Sequence, residues 1–234
     1  MRTLDVCLTP RLIADFDLHD KTVVVVDVLR ATSCMVTALA HGVHRIIPVH
    51  DLEEARRHKQ AGIITAAERD GHTAEGFDMG NSPFGFMEPH LQGQTLAHTT
   101  TNGTKSIVLS AHAAEVVVGA FLNLQAVASY CAQAGRDVVV VCAGWRDMVN
   151  AEDTLFAGAL SLCMAATHAP ANDATTISQF LYERNQGDLK GFLSPTSHFN
   201  RLLKLGLELD IDFCLTHNRY TAVPVLRDGY LVMG

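Results

Sequence analysis

Acids, bases and hydroxyls recur in this chain directly after β-rich apolar runs. "VVVVDVLRATS" (23–33) ends its valines on Asp27 and follows with Arg30, Thr32 and Ser33. "IITAAERDG" (63–71) brings Glu68 and Arg69, and the loop behind it carries Glu75 and Asp78. "TLAHTTTNGTKS" (95–106) supplies Thr99, Thr100, Thr101, Asn102, Gly103, Thr104 and Lys105, and "DVVVVCAG" (137–144) is followed by Arg146, Glu152 and Asp153. In open parallel sheets, ligands bind beyond the C-terminal ends of the strands, where such residues would collect. A phosphate ester there needs backbone N–H donors, which helix N-termini provide, and cations such as Arg30, Arg69 and Lys105. Carboxylates in the same place would repel it unless a cation lies between them. Asp27, Asp78, Glu152 and Asp153 are therefore read as oxygen ligands, direct or through water, of a hard ion such as Mg²⁺. Such an ion neutralises phosphate charge and orients water. On this reading Asp27, Arg30, Glu68 and Asn102 are catalytic. Thr32, Ser33, Arg69, Thr100, Thr101, Gly103, Thr104 and Lys105 bind substrate.

Each residue also has a plainer role open to it. Asp27 can end a strand and cap the next helix. Glu152 and Asp153 can complement a helix dipole. Asn102–Gly103 is a hairpin-turn signal, although Thr104, Ile107 or Val108, and Ala111 keep the spacing of a helix. Several familiar sites are absent: there is no G-x-G-x-x-G, no G-x-x-x-x-G-K-[ST] and no G-x-S-x-G. Asp27-Val28-Leu29 lacks the second acid of a D-x-D motif. The histidines read as mostly surface residues, with His41 and His44 flanking Gly42 at a helix end.

The chain has 234 residues, 48% apolar and 18% charged, enough for one substantial core. A formal charge of −7 argues against a nucleic-acid surface. No apolar run approaches the roughly 20 residues of a membrane span. "MRTLDVCLTPRL" interrupts any export signal with Asp5 and Pro10. The six cysteines form no C-x-x-C pair and several sit within apolar runs, as core thiols of a reducing cytoplasm do.

Positioning all these residues requires alternating strands and helices. Strands are expected over 22–28, 44–50, 63–68, 95–100, 115–121 and 137–144. Helices follow the first strand, Asp51, Asn102, Leu124 and Ala151, and region 172–206 is helical. "AVPVLRDGYLVM" reads as two strands around Asp228–Gly229. The expected fold is a three-layer α/β/α domain with a mostly parallel sheet and mixed edges, spanning 1–234. Its two packed lobes, about 1–92 and 93–234, would not be independent.

"VVVVDVLRATS", "EGFDMGNSP" (75–83), "TTTNGT" (99–104), "CAG" with "EDTLFAGA" (152–159), "NRLLKLGLELDIDFCL" (200–215) and "VPVLRDG" (223–229) together resemble the 2-phosphosulfolactate phosphatase family of coenzyme M biosynthesis. The resemblance covers nearly the whole chain in order. It implies a dimeric three-layer α/β enzyme that hydrolyses (2R)-2-phospho-3-sulfolactate to sulfolactate and phosphate with Mg²⁺. Such a trianion would need Arg30, Arg69, Lys105 and Arg146 within an acidic protein. Two features depart from the family pattern: Ala67 stands where glycine is expected, and "WRDMVN" (145–150) is idiosyncratic. Asp27 could attack phosphorus or bind the metal while water attacks, and water is favoured because no partner acid is evident beside Asp27. A non-catalytic anion-binding module, a phosphatase of another small anionic ester, and a sugar-phosphate isomerase or lyase are the competing readings.

Overall fold

The computed structural model describes residues 1–234 throughout. β1 (Arg2–Cys7) opens the chain, followed by β2 (Thr22–Val26), α1 (Ala31–Ala40), β3 (Arg45–Val49), α2 (Leu52–Gln60) and β4 (Ile64–Arg69). β4 turns back into the short β5 (His72–Thr73), and β6 (Thr95–Thr99), α3 (Gly103–Leu109) and β7 (Glu115–Gly119) resume the alternation. Next come α4 (Leu124–Ala134), β8 (Val138–Cys142), α5 (Ala151–Cys163) and β9 (His168–Pro170). The helical region is α6 (Asp173–Asn185), α7 (Leu189–Leu193), α8 (Ser197–Lys204) and α9 (Glu208–Cys214), and the hairpin β10 (Pro224–Arg227) and β11 (Tyr230–Met233) follows.

All strands join one 11-stranded sheet in the order β5-β4-β6-β3-β11-β10-β7-β2-β8-β1-β9. β4, β6 and β3 form one parallel block. β7, β2, β8, β1 and β9 form another. The antiparallel β10–β11 hairpin joins them, with Val225 opposite Val117 and Leu231 opposite Ile46. β2 pairs with β7 and β8, and β6 pairs with β3 and β4, so strand pairing crosses residue 92 in both directions.

The valine runs explain the three layers. Val24, Val26, Val138 and Val140 enter a core cluster of 29 residues. Val23, Val25, Val139 and Val141 enter a second cluster of 25 on the other face. A strand covered on both faces must be apolar at every position, and burying each valine contributes on the order of 1.5–3 kcal/mol. Polar caps set the helix starts: Asp51 accepts from Glu54 N at 2.8 Å, and Asn172 from Thr175 N at 2.9 Å.

Of the two readings open at Asn102–Gly103 the expected helix holds: Gly103–Leu109 is α3, and β6, flanked by β3 and β4, leaves no edge for a hairpin partner. Pro48 stands near the end of β3, beyond the one residue pair that ties β3 to β11, so its missing N–H interrupts no pairing there. The histidines are mostly at the surface, as expected, with His98, His168 and His198 the buried exceptions. All cysteines are free, and only Cys163 is exposed.

Candidate active site

Loops that follow β2, β4, β6 and β8 converge, with one face of α8, on a recess that opens to solvent. Asp27, Arg30, Glu68, Asn81, Thr100, Thr101, Asn102, Trp145, Arg146, His198 and Arg201 line it. Asp27 is buried just past the valines of β2, and its Oδ1 accepts from Ala31 N at 3.4 Å. The start of α3 approaches it closely. A Cβ on Gly103 would lie 2.9 Å from Asp27 Oδ2 and 2.6 Å from the Ala31 methyl, so only glycine fits between α1 and α3. Asn102 precedes α3 without capping it, which leaves its side chain to the recess.

Behind Asp27 lies a group of buried acids. Glu152 Oε1 accepts from His198 Nδ1 at 2.5 Å and from Asn150 Nδ2 at 3.1 Å, whereas Oε2 is buried with no partner. Asp153 accepts from Val28 N at 2.9 Å and Gly144 N at 3.0 Å, tying together the segments that leave β2 and β8. Burial raises the Asp27 pKa to about 6, with the Glu152 and Glu68 charges adding to it and His198 and the Ala31 N–H opposing it. Burial, together with Asp27 and Glu152, holds Asp153 well above the usual carboxylate range. Buried carboxylates so close share protons or take up a cation.

Arginines and one indole form the wall. The Arg30 guanidinium is buried against Asp210, which also accepts from Ser82 Oγ at 2.9 Å, and Arg30 Nη2 donates to Gly71 O at 3.2 Å. Arg201 approaches Gly71 from the other side, its Nη2 3.7 Å from where a Cβ would stand. Trp145 stacks on His198 at 5.3 Å with planes 16° apart, and Arg146 and Arg201 lie over its ring at 4.9 Å and 5.9 Å. The Leu29–Arg30 peptide bond is cis.

The sequence matches the family model described as 2-phosphosulpholactate phosphatase over residues 7–229. The chain belongs to that family. It is 39% identical over 222 residues to a "Probable 2-phosphosulfolactate phosphatase" of Caldanaerobacter subterraneus subsp. tengcongensis, covering 93% of this chain and 92% of the relative. Proteins of the same printed name are 36% identical in Clostridium acetobutylicum, covering 98% and 99%, and 36% identical in Thermotoga maritima, covering 91% and 92%. Membership makes this chain a phosphatase, a phosphoric monoester hydrolase. No helix is long and apolar enough to cross a membrane.

Of the residues singled out from the sequence, Asp27, Arg30, Glu68, Thr100, Thr101, Asn102 and Arg146 line the recess. Others are placed elsewhere. Thr32 Oγ1 donates to Asp27 O at 2.9 Å and accepts from Asp27 N at 3.0 Å, and Ser33 Oγ donates to Val28 O at 2.7 Å, so both hydroxyls close the turn. Thr104 does the same work for Thr100, with Oγ1 donating to Thr100 O at 3.0 Å. The Ala31 and Thr32 amides point to Asp27, so these first amides of α1 are not open to an anion. Arg69 donates to Glu68 O at 2.6 Å, and Lys105 to Asp147 Oδ1 at 2.7 Å.

Asp78 is outside the site. It accepts from Lys59 Nζ at 2.6 Å and from Thr65 N and Oγ1 at 2.9 and 2.8 Å. Burial works against its charge, but these donors hold its carboxyl below the usual range. Sequence reasoning passes over Asn81, His198, Arg201 and Asp210. Asn81, Arg201 and Asp210 stand within the stretches that carry the resemblance, and His198 and Arg201 have the i, i+3 spacing that puts two residues on one helix face.

No three His, Cys, Asp or Glu side chains stand together as a metal cage. Mg²⁺ requires less, since it keeps several waters and takes one or two carboxylates plus substrate phosphate oxygens. The unpartnered Glu152 Oε2 and the desolvated Asp27 carboxyl fit that donor set. Asp153, with both oxygens bonded to backbone amides, does not.

Proposed function

We propose that this chain hydrolyses (2R)-2-phospho-3-sulfolactate to 3-sulfolactate and phosphate, with Mg²⁺ held by Asp27 and Glu152. The observation that carries the reading is the convergence of buried acids, an imidazole and several guanidiniums from widely separated loops on one recess. When bound, the ion would neutralise phosphate charge and orient water. Arg30, fixed by Asp210, and Asn102 hold the phosphoryl oxygens. His198 is oriented through Nδ1 by Glu152, which leaves its other ring nitrogen to deliver a proton to the ester oxygen as the P–O bond breaks.

This imidazole is the partner acid that the sequence does not reveal. Two nucleophiles therefore stand level: a water aligned at Asp27, or Asp27 itself, forming a phosphoaspartate that water then hydrolyses. Acid quenching during turnover of ³²P-labelled ester distinguishes them, since label stays on the protein only in the second case. The overall reading is tested by phosphate release from 2-phospho-3-sulfolactate with added Mg²⁺ and with EDTA. Turnover that EDTA abolishes and Mg²⁺ restores is expected, and turnover indifferent to chelator would sink the metal. A homodimer would pack through the exposed Ile177 and Phe180 of α6. Light scattering of Phe180→Glu beside the parent tests it, and an unchanged mass would dismiss that face.

A further inference from the structure

We infer that Trp145, Arg146 and Arg201 form a subsite for a second acid group of the substrate that is not transferred, its sulfonate. The inference rests on the phosphatase reading only in placing the phosphate over Asp27.

Few of the cations near the recess are free of a buried counter-charge. Arg30 is neutralised by the buried Asp210. Lys105 and Arg69 do not line the recess, and Lys105 is paired with Asp147. Arg201 has one acidic neighbour, the exposed Asp70 at 3.7 Å, and Arg146 meets no carboxylate at all while lying over Trp145. Two guanidiniums thus flank one indole on the wall of a recess whose floor is acidic. Stacking on an indole fixes the plane of a guanidinium while leaving its N–H edge to make paired hydrogen bonds with an oxyanion.

The loop that presents Arg146 is held firmly. Trp145 and Met148 exchange backbone hydrogen bonds of 2.9 and 3.0 Å, and Arg146 and Asp147 between them are both left-handed, at φ 54 and 58. Non-glycine residues take that conformation only under constraint from their surroundings. Here the constraint comes from Asp147, whose carboxylate accepts from Lys105 Nζ at 2.7 Å and whose carbonyl accepts from Thr9 Oγ1 at 2.8 Å. Lys105, one turn into α3, is therefore a strut for the loop. The loop lies within the "WRDMVN" stretch, so the selectivity it confers is a property of this chain's own sequence.

The test is calorimetric titration of the intact protein with 3-sulfolactate, lactate and inorganic phosphate, each with Mg²⁺ present. Wild type, Arg146→Gln, Arg201→Gln and Asp147→Ala are compared, with thermal melts confirming that each is folded. Loss of a charge-assisted contact is worth about tenfold or more in affinity. Wild type is expected to bind 3-sulfolactate at least about tenfold more tightly than lactate, and both glutamine variants to lose that margin. Phosphate affinity should move by less than about twofold in the same variants, because Arg30 holds it. Asp147→Ala should weaken 3-sulfolactate in the same direction with Arg146 intact. Equal binding of sulfolactate and lactate by wild type, unchanged sulfolactate binding in the glutamine variants, or a parallel loss of phosphate would each overturn the subsite. Turnover of p-nitrophenyl phosphate, measured separately, reads the phosphatase chemistry. A wild type that binds sulfolactate as described but releases no phosphate from 2-phospho-3-sulfolactate supports the subsite and removes that ester as the substrate.

Discussion

Replacing Asp27 by Asn should make the protein's stability less sensitive to pH, and the size of the effect follows from burial. The Asp27 pKa rises from its ordinary 3.8 to about 6, chiefly because burial disfavours the charged form. A carboxyl raised on folding binds its proton more tightly in the native state than in the unfolded chain. Its contribution is thus fully present below about pH 4 and is lost as pH rises through about 6. At about 1.4 kcal/mol for each pH unit between the two values, the loss is about 3 kcal/mol. Asparagine has nothing to ionise, so Asp27→Asn should gain about 3 kcal/mol on the parent between pH 4 and pH 7. For a chain of this length that corresponds to a relative shift in melting temperature on the order of 5–10 °C. Urea titrations of both proteins in EDTA at several pH values measure it. Repeating them in excess Mg²⁺ should shrink the difference, because a cation at Asp27 stabilises the ionised form. A difference that stays flat from pH 4 to pH 7, or that grows in favour of the parent, would show that Asp27 is not a desolvated acid. The carboxylate site built on it would then fail.

Other perturbations reach the same site from different sides. Asp210→Asn leaves the Arg30 guanidinium buried without its counter-charge, which should cost about 3–5 kcal/mol in urea unfolding and about 10²-fold in kcat; an active enzyme of parental stability would refute the pairing. Gly103→Ala forces a methyl against Ala31 and Asp27, with an expected loss of about 1–3 kcal/mol and a fall in turnover. A fully active alanine variant would mean that α1 and α3 can part. His198→Gln should lower kcat by about 10²–10⁴-fold on an alkyl phosphate. It should matter far less on p-nitrophenyl phosphate, whose leaving group needs no proton. Equal losses on both esters would remove His198 from proton transfer.

The residues that the sequence exposes best are those whose position is set by a strand end. Asp27, Glu68 and Asn102 could be assigned because apolar runs locate the sheet, and the chain then has few places to turn. The errors have a common cause: a hydroxyl or acid in a loop can satisfy nearby backbone instead of facing a ligand, as Thr32, Ser33 and Asp78 do. His198, Arg201 and Asp210 lie on helices far along the chain, where polar residues read as an ordinary solvated face. Only the packing of α8 and α9 against the loops after β2 and β4 turns them inward. Strand order was equally hidden, since nothing local in "VPVLRDGYLVM" says that the hairpin separates two parallel blocks.

That hairpin has a consequence for biogenesis. A ribosome releases β10 and β11 after every other strand, yet they fill the middle of the sheet and not its border. Until they emerge, β3 and β7 each present an open, hydrogen-bonding flank to other polypeptides, the kind of surface on which misassociation starts. The two parallel blocks, one ending at Asp27 and the other at Asn102, are joined within the sheet only once this hairpin is in place. Termination before residues 224–233 would therefore leave an unjoined seam in a sheet whose nine other strands have all been made.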